Sequence, residues 1–127
     1  MPSKVQTTLK FAAAVSRERD SRAAGSAVAQ AARRDLEGRQ ADLACLFFSP
    51  QYAESAEELV QAVRQELSPR LLIGCSGEGV IGGGEEIESA AAVTLWTASL
   101  PGVALTPFRL SADQDEYGTS MTGWPGN

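Results

Sequence analysis

This 127-residue sequence predicts an α/β fold in which a βαβαβ unit with parallel central strands is followed by an antiparallel hairpin, with the helices packed on the sheet. Three observations carry the prediction. Apolar residues recur at helical spacing in two separate segments. Leu43–Phe48 (LACLFF) is a continuous apolar run of strand length. From Leu43 onward, strand, helix and strand succeed one another within about 30 residues, the length of a parallel crossover unit.

The elements follow in order. Thr7–Val15 is rich in small apolar residues and reads as a first strand, closed by the polar cluster Ser16–Arg22. From Arg22 to about Leu36, Ala24, Val28, Ala31, Ala32 and Leu36 recur on one helical face, and Gly38 supplies a C-terminal stop. Leu43–Phe48, preceded by Asp42 and followed by Ser49-Pro50, has the pattern of a strand buried on both faces. Ala56, Leu59, Val60, Val63 and Leu67 form the clearest amphipathic stripe, with Glu57, Glu58, Gln61, Arg64 and Gln65 turned to water. Ser55 and Glu58 have capping-box spacing, whereas Ser49 before Pro50 offers an earlier start. Ser68-Pro69 ends this helix, because a residue before proline is pushed out of the helical region.

Leu71–Cys75 completes the crossover as a second short apolar strand. Gly82 to Ser89 offers little to a regular element. Ala91–Leu100 reads as a strand, and Pro101-Gly102 as a turn into a further strand, Val103–Leu110, so that the two form the hairpin; Pro107 argues for an edge or a bulge in the latter. From Ser111 the chain is polar and glycine-rich. Phe47, Phe48, Trp96 and Phe108 read as core residues.

Composition limits the chemistry. The length suits one domain or part of one, and 43% hydrophobic residues suffice for a core without disulfides or metal. The sequence has no histidine, which removes Ser-His-Asp and Cys-His catalysis, the usual zinc sites and the ordinary neutral-pH proton shuttle. A net charge of −5 speaks against nucleic acid as a partner. The charge is uneven: residues 1–42 hold 8 basic and 5 acidic groups, the rest 3 basic and 11 acidic. The short apolar stretch Phe11–Val15 falls far below a signal-peptide core or a membrane span, so the expectation is a cytoplasmic chain without membrane contact. Cys45 and Cys75 read as reduced, buried thiols rather than a disulfide framework.

Residues 74–84, GCSGEGVIGGG, place six glycines in eleven positions at the end of a strand, where ligands bind in open α/β sheets. Gly77, Gly79 and Gly82 fit G-x-G-x-x-G. A dinucleotide site is nevertheless rejected, because Gly82-Gly83-Gly84 breaks the helix that the fingerprint needs, and Thr97 and Ser99 stand where a ribose-binding acid belongs. Cys75 occupies a position where a nucleophile or redox thiol could be presented, which keeps an enzyme as the alternative reading, but the sequence names no general base for it, and activation would rest on backbone amides or an arginine such as Arg17 or Arg19. Glu78, between two glycines, is placed to meet the amino group of a ligand. Ser49 and Pro50 end the neighbouring parallel strand and line the same crevice. No cofactor or metal is expected.

A strand ending LFFSP, an acidic helix, LLIGCSGEGVIGGGEEIE, an apolar strand with Trp and then LPGVALTPFRL together resemble the N-terminal part of a FIST domain, from about Lys10 to Leu110. Leu72–Glu88 is the most specific portion; Gly77 stands where the family often has Ala. The resemblance implies a sensory domain of signal transduction that binds small ligands such as amino acids or similar polar metabolites. Carried onto this sequence, its binding loop comprises Gly74, Cys75, Ser76, Glu78, Gly79, Gly82, Gly83 and Gly84, with Ser49 and Pro50 adjacent. The implied partners are the small polar ligand and either the remainder of the FIST protein or a signalling partner. The family's domain is longer, so residues 1–110 are expected to be a partial FIST N-terminal domain, with 111–127 a polar tail or the start of the remainder. In a third reading, the chain is an interaction fragment without a ligand of its own, associating through an open apolar edge.

Overall fold

A computed structural model describes residues 8–126 apart from positions 83 and 89. Strand β1 (Lys10–Ser16) leads into helix α1 (Ser21–Asp35), then β2 (Leu43–Phe48), a short 3-10 helix over Pro50–Ser55, α2 (Ala56–Leu67) and β3 (Leu71–Ser76). The predicted βαβαβ order and the α/β class therefore hold. Asp20 caps α1, its carboxylate accepting the Ala23 N–H at 2.9 Å, and Arg33 and Arg34 complement the dipole in the last turn. Beyond the C-cap residue Leu36, Glu37 and Gly38 take φ of 56° and 76°, so the glycine stop operates. Ser68 ends α2 in the left-handed region, its N–H bonded to the Arg64 carbonyl at 3.0 Å.

The main sheet has the order β1-β6-β2-β3, where β6 is Val93–Ser99. β2 and β3 are parallel, whereas β6 runs antiparallel to both β1 and β2 and separates them. This corrects the expected hairpin between Ala91–Leu100 and Val103–Leu110. The turn itself forms, with the Val103 N–H donating to the Leu100 carbonyl at 3.1 Å, but among the described residues 103–110 pairs with no strand, and Val103, Leu105 and Phe108 are exposed. β6 instead takes partners on both edges, which an almost wholly buried strand requires. The antiparallel hairpins lie elsewhere: β4 (Gly79–Gly82) with β5 (Glu85–Glu88), and β7 (Ser111–Asp115) with β8 (Gly118–Thr122).

Alternation in the strands separates two faces. Ala44 and Leu46 of β2 and Val93 and Leu95 of β6 join Ala24, Val28, Ala29 and Ala32 of α1 and Leu59 and Val63 of α2 in one core. Both helices therefore cover the same face. α1 and α2 meet at Gly25, where a Cβ would stand 2.7 Å from the Leu59 carbonyl oxygen and 2.9 Å from the Ala62 Cβ. On the opposite face, register aligns Ala13, Trp96, Cys45 and Ile73 in one row and Val15, Thr94, Phe47 and Cys75 in the next. Val80 and Ile87 of the β4–β5 hairpin pack with Ala92 and Val15 at one end of this face. Elsewhere it stays open: Phe11 is 52% exposed, Phe47 40% and Ile73 57%. The expectation that Phe47 is core fails for this reason, and Phe108, 54% exposed outside the sheet, packs its ring against Trp124 with centroids 6.1 Å apart.

Candidate functional site

The site is built where α2 passes over the edge of the sheet. β3 is the last strand, so beyond it the space under α2 has no floor, and a groove of about 540 Å³ opens there. Leu46 and Phe48 of β2 and Leu72 of β3 form its apolar base, and Ile73, Gly74 and Cys75 form its rim. α2 contributes Val60 together with Glu57, Gln61 and Arg64. These three polar residues lie at i, i+4 and i+7 and so share one helical face. The groove thus carries an acid, an amide and a base above an apolar surface, a set that matches a small molecule with both charges and an apolar part.

The sequence-predicted residues distribute unevenly around this groove. Gly74 and Cys75 line it. A side chain at 74 would overlap the Leu46 carbonyl oxygen, so glycine is required there for the close approach of β3 to β2. Ser76 ends β3 opposite Phe48, and the Gly77 N–H continues the pairing to the Phe48 carbonyl at 2.9 Å. Glu78 is exposed, and among the described residues no hydrogen bond or ion pair holds its carboxylate. Gly79 and Gly82 lie in β4, and Gly84 turns at φ 80° between β4 and β5; Gly83 lies outside the described residues. The glycine cluster is therefore the start and tip of a hairpin, and no helix begins within it, in agreement with the rejection of a dinucleotide site.

Ser49 does not reach the groove. It is buried, its hydroxyl accepts the Ala92 N–H at 3.0 Å, and its own N–H donates to the Ala92 carbonyl at 3.0 Å. Ser49 therefore ties the end of β2 to the entry of β6. Pro50 opens the 3-10 helix and is exposed. This short helix also corrects the cap assignments: neither Ser49 nor Ser55 caps a helix with its side chain, and the Ser55 hydroxyl bonds that of Ser21. Tyr52 within it donates its hydroxyl to the Glu18 carbonyl at 2.5 Å. Burial pushes the Tyr52 phenol up, the Glu18 carboxylate adds to the rise and Arg19 opposes it.

The cysteines also depart from expectation. Cys75 is exposed and Cys45 half-buried, rather than both buried. Burial raises the Cys45 thiol above its ordinary value. Sequence reasoning assigned Glu57, Gln61 and Arg64 to solvent. Their position on the flank of the apolar stripe was the available signal, but it points to a groove only once β3 is known to be an edge. A second cleft of about 550 Å³, lined by Arg17, Arg19, Gln51, Ala90 and Ala91, lies near the ends of β1 and β2. Among the described residues, no helix is long and apolar enough to cross a membrane.

Comparison with known proteins gives the chain relatives and a family. An uncharacterized protein of Mycobacterium tuberculosis is 33% identical over 116 residues, which is 91% of this chain and 30% of the relative. An uncharacterized protein of Mycobacterium bovis is 34% identical over 105 residues, 83% of this chain and 27% of the relative. The chain thus spans less than a third of the curated relatives it matches. No solved structure matches. The FIST N domain family matches residues 42–122, a stretch that runs from the start of β2 through β8 and contains the groove and the glycine cluster. The chain belongs to the FIST N domain family, whose FIST domain is generally a sensory domain of signal transduction rather than a catalytic one.

Proposed function

We propose that this chain is a ligand-binding part of an intracellular, cytoplasmic sensory domain and that it takes a small zwitterionic metabolite, with amino acids the first class to test, in the groove between α2 and β3. The observation that carries this reading is the opposed polarity of Glu57 and Arg64 along α2, above Leu46, Phe48 and Leu72. Arg64 would hold a carboxylate and Glu57 an ammonium group, while the base receives the side chain. Glu78 is exposed where the chain leaves the rim of β3 and offers a second carboxylate to the ligand's ammonium group. Occupation of the groove would alter a surface that a signalling partner reads. Cys75 serves in this reading as a rim residue, which suits a sequence without histidine to act as its base.

Thermal denaturation of the folded chain in the presence of each amino acid tests the proposal. A ligand at 100 times its Kd stabilises by about 2.7 kcal/mol. Arg64→Ala should abolish the shift, and Glu78→Gln should reduce it without changing the melting temperature of the free chain. No shift with any amino acid would count against an amino-acid ligand, and a shift that survives Arg64→Ala would move the site out of this groove.

A further inference from the structure

We infer that the free edge of β3, with the open face of the sheet beside it, is the acceptor for a β-strand supplied by the FIST polypeptide that lies outside the portion this chain shares with its relatives. An added strand would supply the floor that the groove under α2 lacks, so this inference shares the β3 edge with the ligand proposal, and its own readouts are complex formation and Cys75 labelling without any ligand.

The edge itself is the first argument. Among the described residues β3 pairs with β2 on one side and with nothing on the other, although LLIGCS spans six residues. Isolated proteins protect such edges with lysine, proline, bulges or a covering element. β3 has no charge and no proline, whereas the opposite edge strand, β1, begins at Lys10, which pairs with Glu37 at 3.1 Å. The second argument is the face. Ile73 is 57% exposed, and Phe11 and Trp96 stack with their ring centroids 5.8 Å apart on a surface that neither helix covers. A covering layer would bury the aromatic pair and Ile73.

The occupant follows from length. The matched portion is 30% or less of each relative, so most of the family polypeptide lies outside it. That material is available wherever the family protein is whole. The predicted occupant is a strand that pairs along Leu71–Ser76 and turns apolar side chains towards the side of Ile73 and Cys75. This is the strand-addition mode of recognition, in which backbone bonds supply attraction and alternate side chains supply register.

Cys75 provides a local reporter, since it is exposed in β3, and Cys45 on the same face is half-buried with a raised thiol. The test mixes this chain with the separately expressed unmatched portion of the 33% identical M. tuberculosis relative. Light scattering on a sizing column should give a one-to-one complex. Iodoacetamide labelling of Cys75 should slow at least tenfold in that complex, and Ile73→Lys should weaken association at least tenfold while leaving circular dichroism unchanged. Should the unmatched portion fail to fold alone, a chimera in which this chain replaces the matched portion of the relative gives the same labelling comparison. Unaltered Cys75 labelling in the complex or chimera overturns the inference, as does a folded unmatched portion that does not bind. Concentration-dependent protection of Cys75 in the isolated chain also overturns it, because the occupant would then be a second copy.

Discussion

Gly74→Ala separates a glycine that serves the sheet from one that serves a ligand. A Cβ at this position would overlap the Leu46 carbonyl oxygen and stand 2.9 Å from its carbonyl carbon and 3.1 Å from its nitrogen. Unstrained carbon contacts lie at ~3.5–4.0 Å. β3 must therefore retreat from β2 by on the order of 1 Å at this point. Interstrand hydrogen bonds begin near ~2.9 Å and weaken steeply with distance, so such a retreat removes the bonds flanking the site, each worth about 1 kcal/mol net. With the strain that remains, the expected loss is roughly 2–4 kcal/mol. For a domain of this size that corresponds to a melting temperature lower by about 10 °C. Urea and thermal denaturation, followed by far-ultraviolet circular dichroism, read the change. A Gly74→Ala protein with an unchanged midpoint would refute the strand-contact reasoning, and if it also lost ligand binding, Gly74 would be a ligand contact instead.

Three further outcomes follow from the same geometry. Ser49→Ala leaves the buried Ala92 N–H without its 3.0 Å acceptor and should lower stability by about 1–3 kcal/mol in a urea titration, with no direct effect on a ligand in the α2–β3 groove. Thr94→Val replaces a buried hydroxyl that has no partner among the described residues with a methyl group of similar size, so it should leave stability unchanged or raise it by about 1 kcal/mol; a large loss would reveal a further bond. Tyr52 favours its neutral form in the folded state. Its contribution is therefore complete below the unfolded phenol's value near 10 and is lost as pH rises through the higher folded value. The urea midpoint should fall across that alkaline range, and Tyr52→Phe should flatten the fall relative to the parent chain; an equally steep fall in the variant would contradict this assignment.

Local patterns made much of the βαβαβ unit legible. The apolar run LACLFF, the α2 stripe and the Ser68-Pro69 stop each reflect forces acting over a few residues, and β2, α2 and β3 match them closely. The insertion of β6 between β1 and β2 was not legible, because an apolar strand is suited to several partners and the choice depends on the whole sheet. Val103–Leu110 carries strand-like residues after a genuine turn, yet among the described residues no strand pairs with it. The β7–β8 hairpin escaped notice because its residues are polar and exposed on both faces, leaving only the Asp115 and Gly118 turn as a signal. At the site, glycine density pointed to the correct region, but conformation divides its members. Gly74 serves strand packing, Gly84 serves a hairpin turn, and the groove's charges come from α2.

The most direct test of the central claim is an amide chemical-shift titration of the isotopically labelled chain with each amino acid. The account predicts that at least one produces saturable shifts concentrated at Gln61, Arg64, Gly74 and Cys75, residues that meet only in the groove between α2 and β3. Silence at these residues for every amino acid, or saturable shifts centred instead on Arg17, Arg19 and Gln51 in the second cleft, would contradict it.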